Sequence, residues 1–282
     1  MIVDSHAHYS HPKFDGRFSA LTWEEGRYAP RELDREALLK DLWAHDVLCS
    51  IEPAIELDSN RTLLDFSARY PGRVFPAVGL HPSRTLDTPW SRRRELDQFA
   101  AEPGVVAIGE LGLDYHTPRN REHRLNQMRW FVYQLRLARR TGLPLILHIR
   151  EADRDGIRIL KHFGRGVKGG VVHCFSSGWD AAEQYLNLGL HLGIGGAILQ
   201  DRPHALAIRE AVRNAPLERI LLETDSPYVL PALDGAFPAG LRNTSRILPA
   251  VADQIAALKG LDRETVLRMT TENTIRLFDL RV

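Results

Sequence analysis

Eight short, near-continuously apolar runs alternate with longer amphipathic segments through the 282 residues, and that alternation restricts the fold more than any other feature. The runs cover residues 2–5, 47–51, 74–78, 105–109, 145–147, 170–172, 191–194 and 220–222. A strand apolar on both faces is what a parallel sheet covered on both sides requires. Between the runs lie helical patterns at 35–45, 61–70, 121–141, 155–163, 181–188, 204–213 and 243–259, the last ended by Gly260 at a favourable helix C-terminus. Eight strand-then-helix units predict an α/β fold, a single (β/α)8 TIM barrel, over an open doubly wound sheet. No composition break or flexible linker divides the chain, so one domain over 1–282 is expected. Two stretches fit the repeat poorly: 15–32, which mixes aromatics with charges, and 231–240, rich in Pro and Gly. The first is read as a long loop.

Composition limits the function. Lys and Arg number 37 against 36 Asp and Glu, which excludes a wholesale basic surface but allows a local patch. No apolar run reaches membrane-spanning length, so no membrane partner is expected. Nor does the N-terminal stretch have the charged-then-apolar pattern of a secretory signal. With only two cysteines, Cys49 and Cys174, these points predict a cytoplasmic protein without a disulfide framework. A monomer is slightly favoured over an oligomer.

In a barrel of this kind the site forms at the C-terminal ends of the strands. There the sequence is unusually rich in metal-ligand types. The first strand runs into His6 and His8, two residues apart and therefore on one face of an extended chain. The third leads to His81, the fourth to Glu110, the fifth to His148 and Arg150, the sixth to His173 and the eighth to Asp225. Imidazoles with carboxylates suit divalent ions, and three or four protein ligands per ion leave a position open for water or substrate. His6, His8 and Asp225 can hold one ion, His148 and His173 a second, with Glu110 as the carboxylate able to bridge both. Two ions so held would activate a water and clamp a transferring phosphoryl or carbonyl oxygen, the chemistry of a hydrolase.

Several motifs in order resemble the TatD family of metal-dependent hydrolases, within the amidohydrolase-like barrels. They are Asp4-Ser5-His6-Ala7-His8, Gly79-Leu80-His81-Pro82, Ile108-Gly109-Glu110-Leu111-Gly112-Leu113-Asp114-Tyr115, His148-Ile149-Arg150-Glu151-Ala152, Val172-His173-Cys174-Phe175-Ser176 and Leu222-Glu223-Thr224-Asp225-Ser226-Pro227-Tyr228. Thr270-Thr271-Glu272-Asn273-Thr274 resembles the family's C-terminal helix. The resemblance implies a TIM barrel, two divalent metal ions (Zn, Mn or Mg) and hydrolysis of phosphodiester bonds, typically as a DNase acting on DNA. It implies His6, His8, Glu110, His148, His173 and Asp225 as metal ligands, and Asp225 also as the proton acceptor that activates the water. His81 and Arg150 match positions near the scissile group.

Alternatives stay open around this frame. His81 either caps its own loop or faces the site; Arg150 either binds a substrate phosphate or pairs with Glu223 or another acid. Tyr115 either stacks on a base or packs. Gly109 and Gly112 suggest close backbone approach to a site, and Gly193, Gly195 and Gly196 read as the seventh strand nearing it. Segment 15–32 is longer than the family's usual loop, and its aromatics and arginines either contact nucleic acid or form a plain surface insertion. Those departures motivate a second reading, a metal-dependent ester, lactone, amide or aminoacyl-tRNA hydrolase with a small ester substrate. A non-enzymatic binding barrel is the third.

Overall fold

The structure is a computed structural model that describes residues 1–24, 27–232 and 238–282, the Trp23 side chain excepted. The 233–237 part of the Pro/Gly-rich segment therefore lies outside the described residues. Strands β1 (Ile2–Asp4), β4 (Val47–Pro53), β5 (Val74–Val78), β6 (Ala107–Asp114), β7 (Leu145–Arg150), β8 (Gly170–Val172), β9 (Leu190–Ile194) and β10 (Ile220–Leu222) form one eight-stranded sheet in that order. Every neighbouring pair is parallel. The first and last strands meet at a seam: Ser5 N donates to Leu222 O at 2.9 Å, and Asp225 N to His6 O at 2.9 Å. Ala7 and Ser226 form a parallel bridge there. The eight apolar runs thus fold as the barrel strands that the sequence predicts.

Inside the barrel a small-to-medium apolar plug packs together: Val3, Cys49, Ala77, Ala107, Ile146, Val171 and Leu221, one from each of seven strands. Leu277, Phe278 and Leu280, at the C-terminal end of the chain, join the same cluster. Outside stand the helices: α1 (Arg35–Ala44), α2 (Ser59–Ala68), α3 (Glu95–Phe99), α4 (Pro118–Glu122), α5 (Arg124–Thr141), α6 (Asp153–Phe163), α7 (Trp179–Asn187), α8 (Pro203–Asn214), α9 (Leu248–Lys259) and α10 (Arg263–Phe278). The pattern at 121–141 breaks at His123 into α4 and α5. Helix α9 starts five residues later than 243, because Asn243, Thr244 and Ser245 spend their side chains on the barrel and its hairpin. Gly260 ends α9 at φ +65° as expected, its N–H donating to Ala256 O.

The expected loop at 15–32 is instead an antiparallel hairpin, β2 (Phe18–Glu24) and β3 (Arg27–Leu33). Phe18, Ala20 and Leu33 are buried against Leu38, Leu39 and Leu42 of α1. Leu21 N donates to Arg242 O, and the Thr244 hydroxyl to Leu21 O. Its first strand opens on the apolar-rich run Phe18-Ser19-Ala20-Leu21-Thr22, and charges from Glu24 onward obscure that strand signal. The hairpin thus packs on α1 and on the segment after β10.

Candidate metal centre

The strand ends deliver their polar side chains to one point. Alternation along β6 puts Glu110, Gly112 and Asp114 on one face. Gly112 stands at φ +144°, where a Cβ would come within 2.1 Å of His148 O, so only glycine lets β6 and β7 approach this closely. Gly109 likewise abuts Ile146. The close approach expected of these two glycines is therefore to the neighbouring strand.

Glu110 is buried at 3% exposure and divides its two oxygens between two sets of histidines. Oε1 lies 3.4 Å from His6 Nε2 and 3.3 Å from His8 Nε2. Oε2 lies 3.1 Å from His173 Nε2, 3.3 Å from His148 Nδ1 and 3.7 Å from His81 Nε2. Asp225 Oδ1 completes the first set, 3.5 Å from His6 and 3.3 Å from His8. Three overlapping groups of residues are spaced to hold a cation: His6/His8/Asp225, His6/Glu110/His173 and His81/Glu110/His148. The six residues expected as ligands are thus brought together, and His81 joins them.

The donor set suits a divalent ion on chemical grounds. His6 Nε2 faces His8 Nε2 at 3.1 Å, and His148 Nδ1 faces His173 Nε2 at 3.0 Å. Two imidazole lone pairs turned on each other need a proton or a cation between them. His8 Nδ1 donates to Pro53 O at 3.2 Å, which leaves Nε2 as the ligating nitrogen. Burial pushes the His8 imidazole down, but Asp225 and Glu110 outweigh it and raise it to about 10. His173 and His148 are also raised against burial by carboxylates, while Glu110 and Asp225, despite burial, are held low by the histidines. Excess positive charge is what this cluster stabilises.

Two further residues belong here that strand-end spacing alone does not assign. Asp114 Oδ2 lies 3.4 Å from His148 Nε2, and the period-two face shared with Glu110 was the available signal. Glu223, expected to make a structural ion pair, sits 1% exposed behind His173 with Oε1 3.7 Å from Nδ1. The same oxygen accepts from Cys174 N. Gly193 makes room for it, since a Cβ there would lie 2.1 Å from Glu223 Oε2. Cys174 itself is half-buried, its thiol raised, and it offers no ligand geometry among the described residues.

His81 does both things open to it: Ser83 N donates to its Nδ1 at 3.1 Å, and its Nε2 turns to Glu110. A backbone N–H can only donate, so the Nδ1 lone pair is taken and the ring proton sits on Nε2. Burial and nearby His148 push the ring down to about 3, which keeps it neutral. Arg150 is exposed and, among the described residues, has no ion-pair partner, Glu223 included. Tyr115 is packed, its hydroxyl donating to Asp155 at 3.0 Å.

The centre opens into a cavity of about 670 Å³ lined by His8, His81, Glu110, His148, His173 and Asp225, with Arg150, Arg84, Arg35 and Tyr228 at its walls. Of segment 15–32, Asp15 alone reaches it among the described residues. A larger cavity of about 990 Å³ lies between α5, α6 and α7 and holds no cluster of ligand residues.

Comparison with known proteins places the chain among these hydrolases. The family described as TatD related DNase matches residues 3–279. An uncharacterized metal-dependent hydrolase, YcfH of Escherichia coli K12, is 33% identical over 99% of this chain and 96% of its own length. The 3'-5' ssDNA/RNA exonuclease TatD of Musicola paradisiaca is 32% identical over 88% and 93%. Among solved structures, the TatD homolog YjjV of Escherichia coli K12 is 28% identical with a TM-score of 0.82, covering 99% of this chain and 98% of that one.

Proposed function

The chain belongs to the TatD-related DNase family and is a metal-dependent hydrolase, and from that premise we propose that it cleaves phosphodiester bonds of single-stranded DNA or RNA. The observation that carries the reading is Glu110, whose two oxygens address two separate histidine sets. His6, His8 and Asp225 would hold one ion, His148 and His173 the other, with Glu110 shared. Bound there, a pair of divalent ions supplies Lewis-acid polarisation of the phosphoryl oxygen and a more acidic water.

The chain's own residues do the rest. As water adds to phosphorus and the P–O bond to the leaving nucleotide breaks, a proton must go to a nearby base. Asp225 is that acceptor: it lines the cavity, and His8 and His6 keep its carboxylate ionised. His81, with its proton on Nε2, is a neutral donor to the oxygen on which charge grows. Arg150, unpaired at the wall, is a cation for a non-bridging phosphate oxygen. Residues 1–282 work as one unit, a cytoplasmic monomer; no helix of the described residues is long and apolar enough to cross a membrane.

The ester-hydrolase alternative rested on the near-neutral charge and on altered loops, of which segment 15–32 supplies Asp15 alone to the cavity among the described residues. The test is EDTA-stripped protein with Mg²⁺, Mn²⁺ or Zn²⁺ restored, assayed on oligonucleotides with free 3' ends beside aryl esters and lactones. Metal-dependent loss of the oligonucleotide is expected. Ester turnover with intact oligonucleotide would replace the nuclease reading.

A further inference from the structure

A second cavity, about 540 Å³, is lined by residues that follow the ends of β6 and β7. It neighbours the metal cavity along the chain. Asp114 and Arg150 line the first, and their chain neighbours Tyr115 and Glu151 line the second. Three arginines and three acids surround this second space: Arg124, Arg154 and Arg158 against Glu151, Asp153 and Asp155. By count it is neutral, but its two arginines without an acidic partner among the described residues outnumber the one acid, Asp153, whose partners are uncharged hydroxyls.

Each acid is already engaged. Asp153 accepts from Ser177 and Tyr185 hydroxyls at 2.7 and 2.8 Å. Asp155 pairs with Arg158 at 2.9 Å and accepts from Tyr115. Glu151 is 2.6 Å from His116 and 3.5 Å from Arg121. Arg124 and Arg154 are exposed and, among the described residues, have no acidic partner. With Arg150 in the wall of the metal cavity, the two neighbouring cavities offer three guanidinium groups without an acidic partner among the described residues. Leu125, 72% exposed, adds an apolar surface beside them.

We propose that this arginine-lined cavity is a substrate track: it binds the phosphates of a single-stranded polynucleotide beyond the bond being cut, with a base resting on Leu125. Guanidinium groups grip phosphate oxygens through two parallel N–H donors, and a strand without a partner leaves its base faces free for apolar contact. The proposal rests on the nuclease reading and deepens it, because it makes the preferred substrate a polymer.

The experiment uses the metal-loaded full chain and the double variant R124A/R154A. Two substrates are compared, a single-stranded oligonucleotide of about 12 nucleotides and a small aryl phosphodiester that reaches only the metal centre. The ratio of kcat/KM for oligonucleotide over aryl diester should fall by about tenfold or more. Binding of the labelled oligonucleotide in EDTA should lose about 1.4 from its log–log salt slope, about 0.7 for each phosphate contact removed. An unchanged ratio and slope overturn the track, as does a parallel fall on both substrates with unaltered binding. If the unmodified protein cuts neither substrate with any metal, the nuclease reading fails by itself, and the salt slope still decides the track.

Discussion

Two buried polar clusters lie one layer apart in this barrel, and they treat their carboxylates in opposite ways. In the lower one, Asp4 accepts from Thr224 N and Oγ1 at 3.1 and 2.7 Å, from Ser245 Oγ at 2.7 Å and from His6 N at 3.2 Å. Glu52 accepts from Ser10 N at 2.8 Å. Burial raises both to about 7. In the upper one, buried Glu110 and half-buried Asp225 are held below the usual carboxylate range. The difference lies in the partners. Hydroxyls and amides satisfy the hydrogen-bonding capacity of a carboxylate and leave its desolvation largely uncompensated, whereas imidazoles that can take a proton answer its charge. Among the described residues His6 Nδ1 has no hydrogen-bond partner, and His148 Nε2 and His173 Nδ1 meet Asp114 and Glu223 only at 3.4 and 3.7 Å, while no Asp4 oxygen is without a hydrogen bond. A saturated polar cluster holds strands together; a cluster short of positive charge holds a ligand.

Four measurements would break or sharpen that contrast. Asp225→Asn keeps the shape and removes the base, so kcat on an oligonucleotide should drop about 10²- to 10⁴-fold; a drop under tenfold would move the proton acceptor elsewhere. Removing the metal should lower stability by about 2.7 kcal/mol relative to protein at a hundredfold excess over Kd, read as a chelator-dependent Tm. A Tm indifferent to EDTA would mean the upper cluster is as self-sufficient as the lower. Glu223→Gln should weaken metal affinity about 10- to 100-fold by calorimetric titration, through the orientation of His173, with the fold unchanged by circular dichroism. Full-strength binding in that variant would make Glu223 structural only.

The smallest effect is a pH dependence. The folded Glu52 carboxyl, at about 7, sits above its unfolded value of 4.5. Its contribution is therefore fully present below pH 4.5 and lost as pH rises through 7. Glu52→Gln should flatten the stability profile across that window by up to about 1.4 kcal/mol per pH unit relative to the parent. Parallel profiles would show that its charge is answered by a partner after all.

Much of this was legible in the sequence because the barrel writes its strands as apolar runs and its site in the residues just past their ends. His6, His8, Glu110, His148, His173 and Asp225 could be collected from strand ends with no knowledge of distances. The hairpin at 18–33 was not, since its inward residues Phe18, Ala20 and Leu33 are outnumbered by charges that belong to its outer face. The late start of α9 was hidden too, because Thr244 and Ser245 serve partners more than 200 residues away, and Asn243 serves the segment after β10. Glu223 needed depth: alternation set it apart from Asp225, but only the missing Cβ at Gly193 reveals where it points.

The seam between β1 and β10 carries a consequence in time. His6 and His8 are made more than 200 residues before Asp225. Until the last strand docks beside the first, the first ligand group is missing a member. A partly synthesised chain therefore holds an incomplete metal site, and the ligand set is assembled only when the barrel shuts.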